Sequence, residues 1–246
     1  DWDRQFGGDM YSGTGFYSLA EAARLVRVPA KSITRWLYGY NYTTTDKNRE
    51  KQQHFAAPLW KTEYAADTFA DKVIGFRDLL ELRIVREFVG HGVPLLVVRR
   101  CLETARQVYG DYPMTTHKFC TDGKTVFMSV MHDGLESELI DLRKRQLVFS
   151  HIIKPSLYSG IEYDGDTARR WYPEGKNRRN IVLDPQQQFG KPVLVDVGVP
   201  TEALFSNYKV EGGDQAALNI VARIFDIPVR KVQAAVQFEE QLRLAA

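Results

Sequence analysis

The sequence predicts an α+β fold that is mostly helical, and three observations carry that prediction. Apolar residues recur at helical spacing in four stretches of the first 110 residues. Short apolar and aromatic runs bounded by Gly, Pro and Asp-Gly mark strands in the second half. Two close helix pairs, one near each end, each turn within a few residues. The expected arrangement is an N-terminal winged helix-turn-helix, a β-containing middle region, and a small C-terminal domain with a second helix-turn-helix-like pair. At 246 residues, 44% of them hydrophobic, the chain is long enough to bury a core, which excludes disorder as its main state.

Residues 1–16, rich in Gly, Ser and Asp, read as a flexible lead. Ser18 stands where an N-cap belongs, and Leu19, Ala22, Ala23, Leu25 and Val26 make the apolar face of a first helix. Pro29 opens a second, whose stripe is Ile33, Trp36 and Leu37. Gly39–Gln53 is polar, tyrosine-rich and without period, so it reads as a loop, and Pro58–Tyr64 reads as the strand-like run of a wing hairpin. Helices follow over Phe76–Val89 and from Pro94 to about Gly110, closing a first domain over 17–110.

The middle region, 111–179, is expected to be mixed. Asp122-Gly123 between Phe119 and Val130 predicts two strands around a turn, Leu135–Phe149 a helix, and Ile152–Tyr163 an extended segment or hairpin. The charged stretch Tyr172–Asn180 marks a junction. In the last domain, 180–246, Ile181–Leu183 and Pro192–Val199 are strand candidates. Asp214 caps a helix with stripe Ala217, Leu218, Val221 and Ala222, and Pro228 opens another that buries Val232, Ala235, Val236, Phe238 and Leu242.

Thirty-three Lys and Arg against 31 Asp and Glu leave only +2, yet eight basic residues face three acidic ones between Ser18 and Lys61. That stretch carries +5 and the remainder −3, the asymmetry a phosphate-facing module needs. In a helix-turn-helix the second helix lies in the major groove. Lys31, Thr34 and Arg35 are therefore the candidates for base edges, Ser32 and Tyr38 for phosphates, and Lys61 for a neighbouring phosphate beside the wing. Trp36 and Trp60 are assigned to packing.

Catalysis finds little support. The five histidines are scattered, glycine-rich phosphate loops are absent, and Asp122, Asp133, Asp141, Asp164 and Asp166 are more simply turn formers than magnesium ligands of a nuclease. Cys101 and Cys120 lack a partnering motif, so neither a disulfide scaffold nor a zinc site is indicated and a reducing, cytoplasmic setting is expected. No metal or cofactor is expected, and no membrane-spanning segment.

The run FYSLAEAARLVRVPAKSITRWL, Phe16–Leu37, resembles the opening of MerR-type winged helix-turn-helix proteins, and FRDLLELRIVREFVGHGVPLLVVRR resembles that family's next two helices. The likeness covers roughly residues 17–110 and departs at the long Gly39–Phe55 loop and at Pro29, where the family generally has Ser. The C-terminal run NIVLDPQQQFGKPVLVDVGVPTEAL, followed by EGGDQAALNIVARIFDIPVRKVQAAVQFEEQL, resembles a small bacterial domain of VapB-type antitoxins, which accompany PIN-domain ribonuclease toxins. That domain usually has Gly-Thr-Arg where this chain has Asp196, Val197 and Gly198. The two together resemble the large two-domain VapB antitoxins.

The resemblance implies a non-enzymatic antitoxin that neutralises a PIN-domain toxin and binds its own operator as an autorepressor, with paired half-sites calling for a homodimer. Arg169, Arg170, Arg178 and Arg179 form a basic stretch that can face the toxin's acidic site, or be a solvated linker. The alternative is an effector-responsive MerR-like regulator whose middle region binds a small molecule.

Overall fold

The computed structural model describes residues 14–45, 50–133, 150 and 155–244. About half of these residues are helical, and the remainder includes several small strands. They form two compact units, one spanning Ser18–Ile152 and one joining the chain up to Tyr17 with Ile153–Ala246. A two-residue strand, β1 (Tyr17–Ser18), lies at the junction.

The first unit opens with α1 (Leu19–Val26). A reciprocal cap starts it: the Glu21 amide donates to Ser18 Oγ at 3.2 Å and the Ser18 amide to Glu21 Oε2 at 2.8 Å. The helix buries Ala22 and Val26 and stops at Arg27, which takes the left-handed conformation (φ 54°, ψ 46°). Pro29 precedes α2 (Ala30–Tyr38), which buries Ile33 and Leu37 against α1. Gly39 ends it at φ 76°, ψ 178°, a region open essentially to glycine alone.

The hairpin comes next, earlier than expected. β2 (Tyr40–Thr45) and β3 (Lys51–Ala56) pair antiparallel in a register running from Tyr40 opposite Ala56 to Thr45 opposite Lys51. Most of its side chains are exposed on both faces, so it shows no apolar alternation, while its Tyr and Thr content suits strands. Pro58–Tyr64, read as the strand run, is instead a loop drawn inward by buried Leu59 and Trp60. After β4 (Val73–Ile74) come α3 (Phe76–Gly90), α4 (Leu95–Tyr109), a single 3₁₀ turn at Pro113–Thr115 and α5 (His117–Asp133). Their core includes Leu79, Ile84, Phe88, Val98, Leu102, Met114 and Phe127.

The helix α5 corrects the expectation of two strands around Asp122-Gly123. Phe119, Val126, Phe127 and Val130 are buried at helical spacing. Gly123 serves packing, since a Cβ there would stand 2.8 Å from the Phe119 ring. The helix expected over Leu135–Phe149 lies outside the described residues.

The second unit is built on an antiparallel sheet in the order β5 (Ile161–Asp164), β6 (Thr167–Trp171), β7 (Ile181–Leu183), β8 (Pro192–Leu194), preceded by the helical turn α6 (Pro155–Tyr158). Trp171 pairs with Leu183, so the strands on either side of the Tyr172–Asn180 stretch share one sheet. The strand expected over Pro192–Val199 ends at Leu194 because Asp196 (φ 68°) and Gly198 (φ 71°) turn the chain. Three helices follow, α7 (Thr201–Val210), α8 (Gln215–Ile224) and α9 (Val229–Leu244), with α9 packed on both others. Asp214 caps α8 by accepting from the Ala217 amide at 2.9 Å.

Part of the lead belongs to this unit. Tyr17 is buried and donates to the Gly190 carbonyl at 2.6 Å, the Phe16 amide donates to Phe189 O at 3.0 Å, and the two phenyl rings meet edge-on at 5.9 Å. Residues 14–16 are thus held, in contrast to the flexible lead expected. Among the described residues, no helix is long and apolar enough to cross a membrane.

Candidate functional site

The geometry around α2 sets out the residues that the sequence proposed for DNA contact. Because Ile33 and Leu37 are buried, the 3.6-residue period turns Lys31 and Arg35 outward, and both are exposed. Ser32 is half-buried, its amide bonded to Pro29 O at 2.8 Å. Thr34 is half-buried and donates its hydroxyl back to Ala30 O at 3.0 Å. The Arg35 guanidinium lies 3.9 Å from the Tyr40 ring centre, a cation–π contact that leaves its in-plane N–H groups to the solvent side. Tyr38 has a buried hydroxyl with no hydrogen-bond partner among the described residues, and Lys72 Nζ sits 4.5 Å over its ring. Burial, then the nearby Asp78 charge, raises its pKa above the usual tyrosine value.

Lys61 is exposed, in the loop after the hairpin. That loop is fixed from below by a buried acid. Asp78 on α3 accepts from Trp60 Nε1 at 2.8 Å, from the Glu63 amide at 3.0 Å and from the Gly75 amide at 3.2 Å. Burial pushes its carboxyl up to about 6 against the pull of the Trp60 bond. Glu63 in turn pairs with Arg77 at 2.7 Å and fills the space where a Gly75 side chain would stand. The Lys61 carbonyl also accepts from Tyr112 Oη at 3.3 Å.

The hairpin carries a set of groups that sequence reasoning passed over. Tyr42 stacks on His54 at 5.1 Å and Thr44 Oγ1 lies 2.7 Å from His54 Nε2, while Tyr42 and Phe55 remain 44% and 60% exposed. With Arg35 on Tyr40, one end of this hairpin adjoins the exposed face of α2. The available signal was the run of Tyr and Thr from 40 to 45.

In the second unit the four arginines diverge. Arg170 pairs with Asp184 Oδ2 at 3.2 Å and stands 3.6 Å from Glu162 Oε2. Arg179 bonds Glu162 Oε1 at 2.7 Å and lies 4.7 Å over the Tyr172 ring. Arg169 and Arg178 are exposed. Among the described residues, no group of three or more His, Cys, Asp or Glu is placed to hold a metal ion.

No family model matches the chain. The chain is similar to a protein of Mycobacterium tuberculosis provisionally named antitoxin VapB45, with 26% identity over 191 residues, which cover 74% of this chain and 78% of the relative. Its fold is similar to the crystal structure of Rv2018 from Mycobacterium tuberculosis, with a TM-score of 0.64 and 20% identity over 89% of this chain and 96% of the other.

Proposed function

We propose that this protein is a non-enzymatic antitoxin of a type II toxin–antitoxin system, neutralising a PIN-domain ribonuclease and repressing its own operon. The observation that carries the reading is the likeness to VapB45 over most of both chains. The first unit acts as a MerR-like winged helix-turn-helix, with α2 in the major groove and the β2–β3 hairpin as the wing, on two half-sites of a homodimer in the cytoplasm. Lys31 and Arg35 are the groups best exposed to read bases, with Lys61 and Lys72 beside them for phosphates. The second unit engages the toxin, and Arg169 and Arg178 face its acidic site, since Arg170 and Arg179 are already paired within the chain.

The test is gentle purification of the tagged chain from its native host. A small protein in fixed proportion, cleaving RNA only after separation from this chain, and retention of the complex on the operator are the expected results. A chain that elutes alone and still shifts its operator identifies a regulator without a toxin and overturns the antitoxin reading.

A further inference from the structure

The second unit holds a cleft of about 340 Å³, the size at which small-molecule and side-chain sites begin. One wall is Arg170, the others include Val182, Val195 and Val197. Arg170 is held from behind: its Nη2 meets Asp184 at 3.2 Å, and that carboxylate is only 2% exposed. Its Nε is buried with no hydrogen-bond partner among the described residues, because Glu162 Oε2 at 3.6 Å is out of range. Leaving such a donor unsatisfied costs about 1–3 kcal/mol, so the site is short of one acceptor.

Charge decides which acceptor. Arg170 and Arg179 are balanced by Glu162 and Asp184, and at the rim Lys231 is balanced by Asp196 at 3.6 Å. A phosphate or a further carboxylate would add an unmatched negative charge beside two acids, whereas a neutral carbonyl satisfies Nε without one. The three valines supply an apolar wall for an uncharged side chain. The wall is preformed: the Val195 amide donates to Asn180 O and Lys231 Nζ to Val195 O, both at 2.9 Å, and the turn through Asp196 and Gly198 is left-handed at both residues.

We propose that this cleft binds an uncharged, extended peptide segment of a protein partner, with a main-chain carbonyl accepting from Arg170 Nε and a small aliphatic side chain resting on Val182, Val195 and Val197. The inference deepens the antitoxin reading by giving the partner a docking point, and it rests on that reading only for the partner's existence.

The test uses the full chain, ¹⁵N-labelled, titrated with the capped neutral peptide acetyl-Val-Ala-Val-amide and, separately, with N-acetyl-aspartate and inorganic phosphate. The expected result is a saturable, salt-insensitive shift of the Arg170 Nε–Hε signal with the neutral peptide in the millimolar range. Arg170→Lys, which keeps the charge opposite Asp184 but removes the Nε donor, and Val197→Trp, which fills the cleft, each weaken that binding about tenfold with the spectrum of the remaining chain unchanged. No saturable shift, tighter binding of either anion, or undiminished binding by Arg170→Lys overturns the proposal. Peptide binding in a chain that carries no toxin in its host leaves the cleft standing and removes the antitoxin reading, so the two failures are distinguishable.

Discussion

Replacing Glu81 by Gln isolates the electrostatic cost of folding the first unit. Glu81 is fully buried on α3; its Oε1 accepts from the Met114 amide at 3.0 Å, and Oε2 has no hydrogen-bond partner among the described residues. Burial pushes the carboxyl from 4.5 up to about 8, opposed by the hydrogen bonds from Met114 and Thr115. A folded-state pKa above the unfolded one means that the native state holds the proton more tightly. The corresponding stability is fully present below about 4.5 and is lost as pH rises through about 8. A displacement of this size corresponds to about 5 kcal/mol at the alkaline limit, an upper bound because water entry relaxes it. Asp78, pushed up to about 6, adds a loss of the same sign at lower pH, common to wild type and variant. Gln keeps the acceptor opposite Met114 and the shape, and never ionises. Urea unfolding followed by the fluorescence of Trp36 and Trp60, with hydrogen exchange of the α3 amides reporting this unit alone, is the assay. The wild-type midpoint is expected to fall between about pH 6 and 9 while that of E81Q stays nearly level. Parallel profiles over that window would refute a buried, high-pKa Glu81.

Changing Lys31 and Arg35 together to Ala is expected to weaken operator binding by about 2–5 kcal/mol and to flatten the salt slope by about 0.9 for each phosphate that is no longer neutralised; fluorescence anisotropy across a salt series measures both, and unchanged affinity moves readout to the hairpin. Gly39→Ala places a Cβ 2.5 Å from Ala56 O and 2.6 Å from the Phe55 ring at a φ of 76°, so it is expected to cost about 1–3 kcal/mol and loosen the β2–β3 pairing, seen as faster amide exchange in the hairpin. Tyr17→Phe leaves the Gly190 carbonyl without the 2.6 Å bond and is expected to lower stability by about 1–2 kcal/mol, read by thermal unfolding.

The elements legible in the sequence are those with one buried face and a cap of recognisable chemistry. The pair α1–α2 is announced by Ser18, Glu21 and Pro29 and by the buried Ala22, Val26, Ile33 and Leu37, and α8 by Asp214. The hairpin was illegible because period-2 alternation exists only where one strand face is covered, and Tyr40–Thr45 is exposed almost throughout. In α5, Asp122-Gly123 mimics a turn because sequence alone does not distinguish a glycine needed for φ from one needed for space against Phe119. The site was half legible for a related reason. Exposure of Lys31 and Arg35 follows from helical period, but the Asp78–Trp60 bond that fixes the Lys61 loop joins residues 18 apart, a pairing no local pattern encodes.

The partners of the cations distinguish the chemistry available to the two units. On the first unit Arg35 and Lys72 rest on the aromatic faces of Tyr40 and Tyr38. An aromatic face orients a cation without cancelling its charge or occupying its N–H donors, so such groups keep a net positive field that steers phosphate toward α2 and the hairpin. On the second unit Arg170 and Arg179 lie against Glu162 and Asp184, and the field they would project is largely cancelled at short range. A surface of that kind gains little from counterion release, and recognition there depends on shape and on individual hydrogen bonds. The same count of basic residues therefore argues for nucleic acid at α2 and against it at the sheet face. Moving the charge balance is the direct way to exchange the roles: Glu162→Gln frees Arg179 and leaves Arg170 only Asp184, and non-specific DNA affinity of the second unit's surface should rise with that single change if cancellation is what suppresses it.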